Sequence, residues 1–587
     1  MHSGWKRKTG VCALYGAIAA TFCAPLFEQP NALGISDWDQ HLFYYGSVLV
    51  NIIEYGQWPF WNPWYCGGNV LWQNPQVALL SPVYPLTSLM SLALAMKVNI
   101  FLHYWAGFIG MHLVLTRIVG LSYLPFVVYL ASVFTLAGSL ALHLNAGHSV
   151  FLPAFYLPLL LFFFLRSLKT EHVRDALLAG AILALIIYNG GLHIVPIALV
   201  AVGGTAVVAA AVRRTWPPLA LSVLIGVAGF SYAAPKLVPV IQFVKGDQFW
   251  DTRTGTELPD RMSVPMLLRA YLDPYQTRSL RVGSVQRHGW YEYGNYIGAL
   301  AVILTASSTI WVFATRNIGD RWLGLSLAVT AVLLLALSAG EFGRFAPAEI
   351  AAHLPLFSSF RIHSRYTVAV ALLAAVTIGW VARSIALDHP LTGSARLFVG
   401  VVCTVAVLQL LLDNRAQFGG VFSVAPIDHR FRLLAGPATL VTDRATNPYG
   451  PNSPMLRTLL LGQSFYNCYE SLQLRHTADA DHPIVFSDGK SKIFDTRFSP
   501  NRIQFSVANG REPSRIFLNQ NYASGWRSTA GPITADPQSR MPSVEIPPGQ
   551  TGRFSFTFAP PGLWLGLSVF AGALVASAVL WSRRLAP

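Results

Sequence analysis

Residues 34–85 read GISDWDQHLFYYGSVLVNIIEYGQWPFWNPWYCGGNVLWQNPQVALLSPVYP. Asp37, Asp39 and Glu54 stand here among tryptophans, tyrosines, prolines and glycines, directly after the first apolar segment of the chain. A segment that merely joined two membrane spans would need none of this, so the fold is read from how the remaining chain can be arranged around it.

Outward from this stretch the chain is apolar. Of 587 residues 53% are hydrophobic and 12% charged, with mean hydropathy +0.45, which is the composition of a polytopic membrane protein. The net charge of +15 lies largely in short Lys/Arg runs beside apolar segments. Positive-inside topology accounts for such runs, and nucleic acid is not implied. The start, MHSGWKRKTGVCALYGAIAATFCAPLF, reads as a retained first helix.

Windows long enough to cross a bilayer, about 20 residues, lie near 10–27, 98–116, 122–141, 149–165, 175–188, 194–212, 219–241, 295–315, 322–340, 366–382, 397–412 and 562–582. Residues 79–96 are a further candidate, and charge decides against them. If they do not span, Arg117, Arg166, Lys169, Arg174, Arg213, Arg214, Arg316, Arg321, Arg383, Arg396, Arg583 and Arg584 all fall on the cytoplasmic side. The expectation is therefore about twelve helices with both ends inside, and 79–96 as an interfacial or re-entrant segment. The loop 28–97, the turn HLNAGH (143–148), NGGLH (189–193), the loop 244–294, the loop 341–365 and all of 413–560 then share the outer face. The cytoplasmic connections are short and basic, without a phosphate-cradling glycine loop.

Along the chain, Asp39–Ile53 predicts an amphipathic helix at the outer interface. Trp58, Trp61, Trp64, Tyr65 and Trp72 suit either a headgroup-level belt or a sugar- or lipid-binding surface. Within the spans, His103 and His112 fit hydrogen-bonded packing or function, and Lys236, between two prolines, is placed to meet a lipid phosphate. The loop 244–294 is a solvated charged surface or a lid, and Glu292 in GWYEYGNYIG is its acid best placed for a site. Arg361, His363 and Arg365 run against the positive-inside bias. They point to an anionic lipid phosphate, or to pairing with Glu341 or another outer carboxylate. Beyond Asp413 short alternating runs such as NRIQFSVA and GRFSFTFAP predict a β-rich outer domain. Cys66 and Cys468 both fall outside and are candidates for a disulfide. Cys12, Cys23 and Cys403 lie in apolar segments as small hydrophobes.

Taken together, SDWDQ, GQWPFWNPWYCGGN, QNPQVALLSPVYPL, EYGNYIG, LPLFSSFRIHSRYTVAVALLA, NYASGWRSTAGP and IPPGQTGRFSFTFAPPGLWLG resemble the YfhO-like family of bacterial multi-pass membrane proteins, across most of the chain. That family is similar to the GT-C glycosyltransferases, which take a sugar from a polyprenyl-phosphate donor. The resemblance implies an inverting transfer to a cell-envelope glycan or glycoconjugate at the outer face of the bacterial inner membrane. It carries the catalytic acid onto Asp37, with Asp39 second. Lys236, Arg361 and Arg365 become donor-phosphate partners, and Trp61, Glu292 and His193 substrate contacts. Asp37-Trp38-Asp39 also has the D-x-D form of a divalent-cation site, two carboxylates with no further ligand identified. The expected division is a transmembrane glycosyltransferase-like domain at 1–412, a β-rich domain at 413–560, and a final helix with cytoplasmic tail at 561–587. A lipid-linked-sugar flippase and a non-catalytic assembly partner remain as alternatives, although no internal repeat of the transporter kind is present.

Overall fold

The computed structural model describes residues 2–245, 262–276, 288–315, 320–339, 346–351, 353–354, 357, 360, 362–388, 392–426, 439–441, 454–465 and 482–584. Helix occupies every one of the expected windows. Among the described residues nine helices are long and apolar enough to cross a bilayer, and a bent pair, Pro217–Tyr232 and Ala234–Val244, is long and apolar enough to make a tenth when taken as one span. Val173–Tyr188 and Ala299–Ala314, 16 residues each, fill the last two windows. Residues 79–96 make no crossing of their own. A 3-10 turn, Tyr84–Ser88, leads into Leu92–Leu113, whose first turns take up the remainder.

Small residues let these helices approach. A Cβ added at Gly180 would stand 2.7 Å from Ala228 Cβ, so Val173–Tyr188 and Pro217–Tyr232 meet backbone to backbone. The bent pair turns by 81° just before Pro235, which has no N–H to continue the helix.

The C-terminal region is a sandwich of two four-stranded antiparallel sheets. One runs Thr534–Ala535, Pro542–Ile546, Ser514–Leu518, Val485–Ser487; the other runs Ser491–Ser499, Arg502–Asn509, Thr551–Phe558, Trp526–Ser528. Alternate residues Ile503, Phe505 and Val507 turn inward against Phe554, Phe556 and Phe558, as the two-residue period of a half-buried strand requires. The chain is thus a polytopic helical membrane protein with a C-terminal β domain.

The first outer loop joins the two parts. Its short hairpin, Trp61–Asn62 with Asn69–Val70, places Trp61 and Val70 in the sandwich core. The Trp61 ring lies 4.7 Å from Phe558 and 5.1 Å from Trp526, and its Nε1 donates to Gln520 Oε1 at 2.9 Å. Asn521 Nδ2 donates to the carbonyls of Cys66 and Gly68, both at 2.6 Å.

Three expectations change here. Trp61, Trp64, Tyr65 and Trp72 are buried, and only Trp58 of that set is exposed, so these rings form a core and neither a belt nor an open ligand surface. Trp61 is therefore a packing residue. The helix Trp38–Leu49 is buried on every side instead of lying at an interface, because Met455, Leu456 and Leu459 of Pro454–Leu460 cover it. Lys236 does not project toward a ligand. It is buried, and its Nζ donates to the carbonyls of Trp72 at 2.5 Å and Asn74 at 2.8 Å, while Trp72 Nε1 returns a bond to Pro235 O. Burying a lysine is costly unless its N–H groups are satisfied, and the loop backbone satisfies them. Cys66 is disulfide-bonded while Cys12, Cys23 and Cys403 are free. Its expected partner, Cys468, lies outside the described residues.

If the hairpin is part of the sandwich core, Trp61→Ala should destabilise the protein by about 3–5 kcal/mol, the usual cost of removing a buried tryptophan. A thermal melt of the purified protein reads this, and an unchanged transition would contradict the shared core.

Candidate functional site

The polar residues of the outer loops meet at the start of helix Trp38–Leu49. Asp37 is its N-cap residue but makes no side-chain bond to its own helix. The helix start is set by docking onto the end of Gly138–Ala146. Trp38 Nε1 donates to Leu144 O at 2.7 Å, and Asp37 N donates to Ala146 O at 3.4 Å. Gly147, at φ 94°, makes this approach possible: any Cβ there would fall 2.4 Å from Trp38 N. The chain then turns and carries His148 to Asp37, with His148 Nε2 3.4 Å from Asp37 Oδ2.

Behind this contact lies a chain of polar groups. His148 Nδ1 is 3.0 Å from His143 Nδ1 and 3.8 Å from Glu292 Oε1. Glu292 receives two bonds from Arg365, from Nε at 2.9 Å and Nη2 at 2.7 Å, while Ser364 Oγ donates to the Glu292 carbonyl. Phe151 supports the group: the His143 ring stacks on it at 3.5 Å, Arg365 lies 5.2 Å from its centroid, and His193 stacks at 6.4 Å. The side chain of Glu292 is 3% exposed, whereas those of Asp37, His148 and Arg365 are 20%, 16% and 14% exposed, so the central carboxylate is hidden and the groups on either side of it are partly reachable.

Electrostatics follow burial. Burial alone would raise the Glu292 pKa, but the Arg365 guanidinium holds the carboxyl well below its ordinary range, and Glu292 stays ionised. His41, one turn after Asp37, is pushed down to about 4 by burial, against the opposing charge of Asp37, and is neutral at pH 7.

Asp39 plays a different part from Asp37. Residues two apart on a helix point about 200° apart, so the two carboxylates diverge. Asp39 accepts from Met455 N at 2.9 Å and Leu456 N at 3.1 Å, the first free amides of Pro454–Leu460. Its burial pushes its pKa up to about 7, partly offset by those two bonds. The D-x-D pair therefore does not fit a shared cation. A different set does: ligand atoms of His143, His148 and Glu292 lie within 4.8 Å of one another. Two imidazoles and one carboxylate suit a zinc-class ion better than the oxygen-seeking Mg²⁺ or Ca²⁺.

Of the residues expected from sequence, Asp37, Glu292, Arg365 and His193 come together. Trp61, Lys236 and Asp39 are engaged elsewhere, and Arg361 lies outside the described residues, as does Glu341. The pairing of Arg365 is with an outer carboxylate, Glu292. From sequence, the HLNAGH turn was grouped with the loop of Asp37, beside which it lies, but neither His143 nor His148 was selected. Two histidines five apart in one outer turn were the available signal.

No protein-family model matches the chain, and no curated protein does. Among solved structures, the chain is similar to the arabinofuranosyltransferase AftD from Mycobacteria, at 15% identity and a TM-score of 0.44, over 70% of this chain and 27% of that one. It is also similar to the oligosaccharyltransferase of Archaeoglobus fulgidus, at 13% identity and a TM-score of 0.45, over 78% of this chain and 64% of that one. The complex of the Archaeoglobus fulgidus oligosaccharyltransferase AglB with an inhibitory peptide and a dolichol-phosphate overlaps at 11% identity and a TM-score of 0.41. The chain thus spans about a quarter of AftD and under two thirds of the oligosaccharyltransferase. Overlaps this loose carry no argument about chemistry, which rests on the site itself.

Two stability measurements test the site. Arg365→Ala strands a buried carboxylate and should cost about 3–5 kcal/mol, with Glu292→Gln in the same chain recovering part of the loss. Equal melts for the wild type and both variants would contradict the pairing. The pH dependence should have two opposite limbs. The depressed Glu292 pKa gives stability that is present above its unfolded value, about 4.3, and lost as pH falls below it. The raised Asp39 pKa makes its contribution decline as pH rises from about 4 to about 7. Asp39→Asn should abolish only that second limb, and an unaltered profile would refute the assignment.

Proposed function

We propose that the chain is a membrane glycosyltransferase that moves a sugar from a polyprenyl-phosphate donor to a hydroxyl of a cell-envelope glycan or glycoconjugate. The supporting observation is Asp37: a reachable carboxylate in the first outer loop, 3.4 Å from His148 Nε2 and backed by a buried, ionised Glu292. The sequence resemblance expects the catalytic acid at this position.

In this reading an Asp37 carboxylate oxygen takes the proton of the acceptor hydroxyl as the acceptor oxygen forms its bond to the anomeric carbon. The bond from that carbon to the donor phosphate breaks, its electron pair leaves on the lipid phosphate, and attack from the opposite side inverts the configuration. His148 orients the Asp37 carboxylate, as the imidazole is itself held between His143 and Glu292. Arg365, with Arg361 four residues before it, supplies positive charge for the departing phosphate. His193, stacked beyond Phe151, is a sugar contact. A zinc-class ion on His143, His148 and Glu292 would supply additional positive charge beside the reacting groups. The distribution of Lys and Arg supports the extracytoplasmic side as the reacting face, and the resemblance implies the bacterial inner membrane.

The test is transfer by the purified protein from a synthetic polyprenyl-phosphate sugar to candidate acceptors. Asp37→Asn should slow transfer by about 10²–10⁴-fold without changing the melt, whereas Asp39→Asn should leave the chemical step intact. Full activity in both variants would put the base elsewhere, and transbilayer movement of the donor without transfer would favour a flippase. Elemental analysis of the purified protein tests the ion. A zinc-class metal bound to the wild type should be lost on His143→Ala or His148→Ala, and a metal-free wild type removes the ion from the account.

A further inference from the structure

The end of the bundle opposite Asp37 contains a cavity of about 790 Å³ between the N-terminal helix His2–Cys23, the helix Leu92–Leu113 with its continuation Val114–Val119, and Leu124–Thr135. Val11, Leu14, Ile109, Leu113, Leu121 and Val127 make its walls apolar. Tyr15 and His112, which also line it, satisfy each other through a 3.0 Å bond. Space continues at Gly10, where an added Cβ would meet nothing within 4 Å.

The mouth is cationic. Arg117 lies in the π-helical turn Val114–Val119, lines the cavity and is exposed. Turns of this kind widen a helix locally and recur at functional places. The turn ends at Gly120, and Arg383 Nε lies 3.5 Å from where a Cβ at Gly120 would stand. Some other cations at this end are paired, Arg166 with Asp175 at 3.2 Å, Arg213 with Glu171 at 2.7 Å and Lys169 with Asp320 at 3.4 Å, while among the described residues Arg214, Arg321 and Arg396 have no ion pair and do not line the cavity. Among the described residues Arg117 and Arg383 have no ion pair.

We propose that this cavity binds an anionic phospholipid of the leaflet opposite the Asp37 face, with an acyl chain between the three helices and its phosphate on Arg117 and Arg383. An apolar slot excludes a free soluble anion as its natural occupant, and Arg117 in its lining, with Arg383 beside Gly120 at the end of the same turn, neither of them ion-paired among the described residues, disfavours a zwitterionic headgroup. Basic pockets between membrane helices bind anionic headgroups on this principle. The inference does not rest on the glycosyl-transfer reading, since none of its residues belongs to the Asp37 site.

The experiment uses the full chain in nanodiscs of phosphatidylcholine containing a minor share of phosphatidylglycerol, released into the gas phase so that retained lipids are weighed on the protein. Phosphatidylglycerol should be retained above its share. Arg117→Gln should cut that preference about fivefold, and Arg117→Gln with Arg383→Gln should cut it further. Gly10→Trp, which fills the slot and leaves both arginines, should lower total lipid retention at an unchanged melting temperature. Retention in proportion to the bulk lipid, an unchanged preference in the double variant, or stronger retention of polyprenyl phosphate in parallel nanodiscs would each overturn the proposal.

Discussion

A buried carboxylate must be paired, and the end of this protein that carries Asp37 is arranged around one. Glu292 has almost no exposure, so its charge is tolerable only because Arg365 grips it through two hydrogen bonds. That pair ties the short helix Trp290–Tyr293 to the entry of Thr367–Asp388. It also sets a fixed negative charge beside His148, and His148 reaches Asp37. The position of the partly exposed Asp37 thus follows from the neutralisation of a hidden acid.

The second constraint is the first outer loop, which belongs to two cores at once. Trp38 and the helix it begins pack within the membrane-domain cluster, whereas Trp61 and Val70 pack within the sandwich. Lys236 fastens the same loop to the bent helix pair through two carbonyls. A loop held at so many points is a rigid platform, which is what a general base needs if its geometry is to be set before substrate arrives.

The helical windows and the β-rich tail were legible because hydropathy and period-two alternation are properties of single segments. That the loops of Asp37, His148, Glu292 and Arg365 share one end of the bundle was legible because charge marks the flanks of the spans. Residue roles were less so. Trp61 and Trp72 look alike in sequence whether they face lipid, sugar or protein, and only the sandwich beside Trp61 distinguishes these. Lys236 has the composition of a phosphate ligand and the geometry of a loop clamp. Asp37 and Asp39 are adjacent in text but diverge on the helix, and the partners of Asp39 lie more than four hundred residues away. His148 became meaningful only when a glycine that admits the backbone of Trp38 brought its turn against Asp37.

The most direct measurement of the central claim is a structure of the protein with a non-transferable polyprenyl-phosphonate sugar bound. The sugar's anomeric carbon should face Asp37, with room for an acceptor oxygen about 3–3.5 Å from that carbon, and the phosphonate should lie on the Arg365 side. Density for the phosphonate beside Lys236, or a sugar bound away from Asp37 and His148, would contradict the claim.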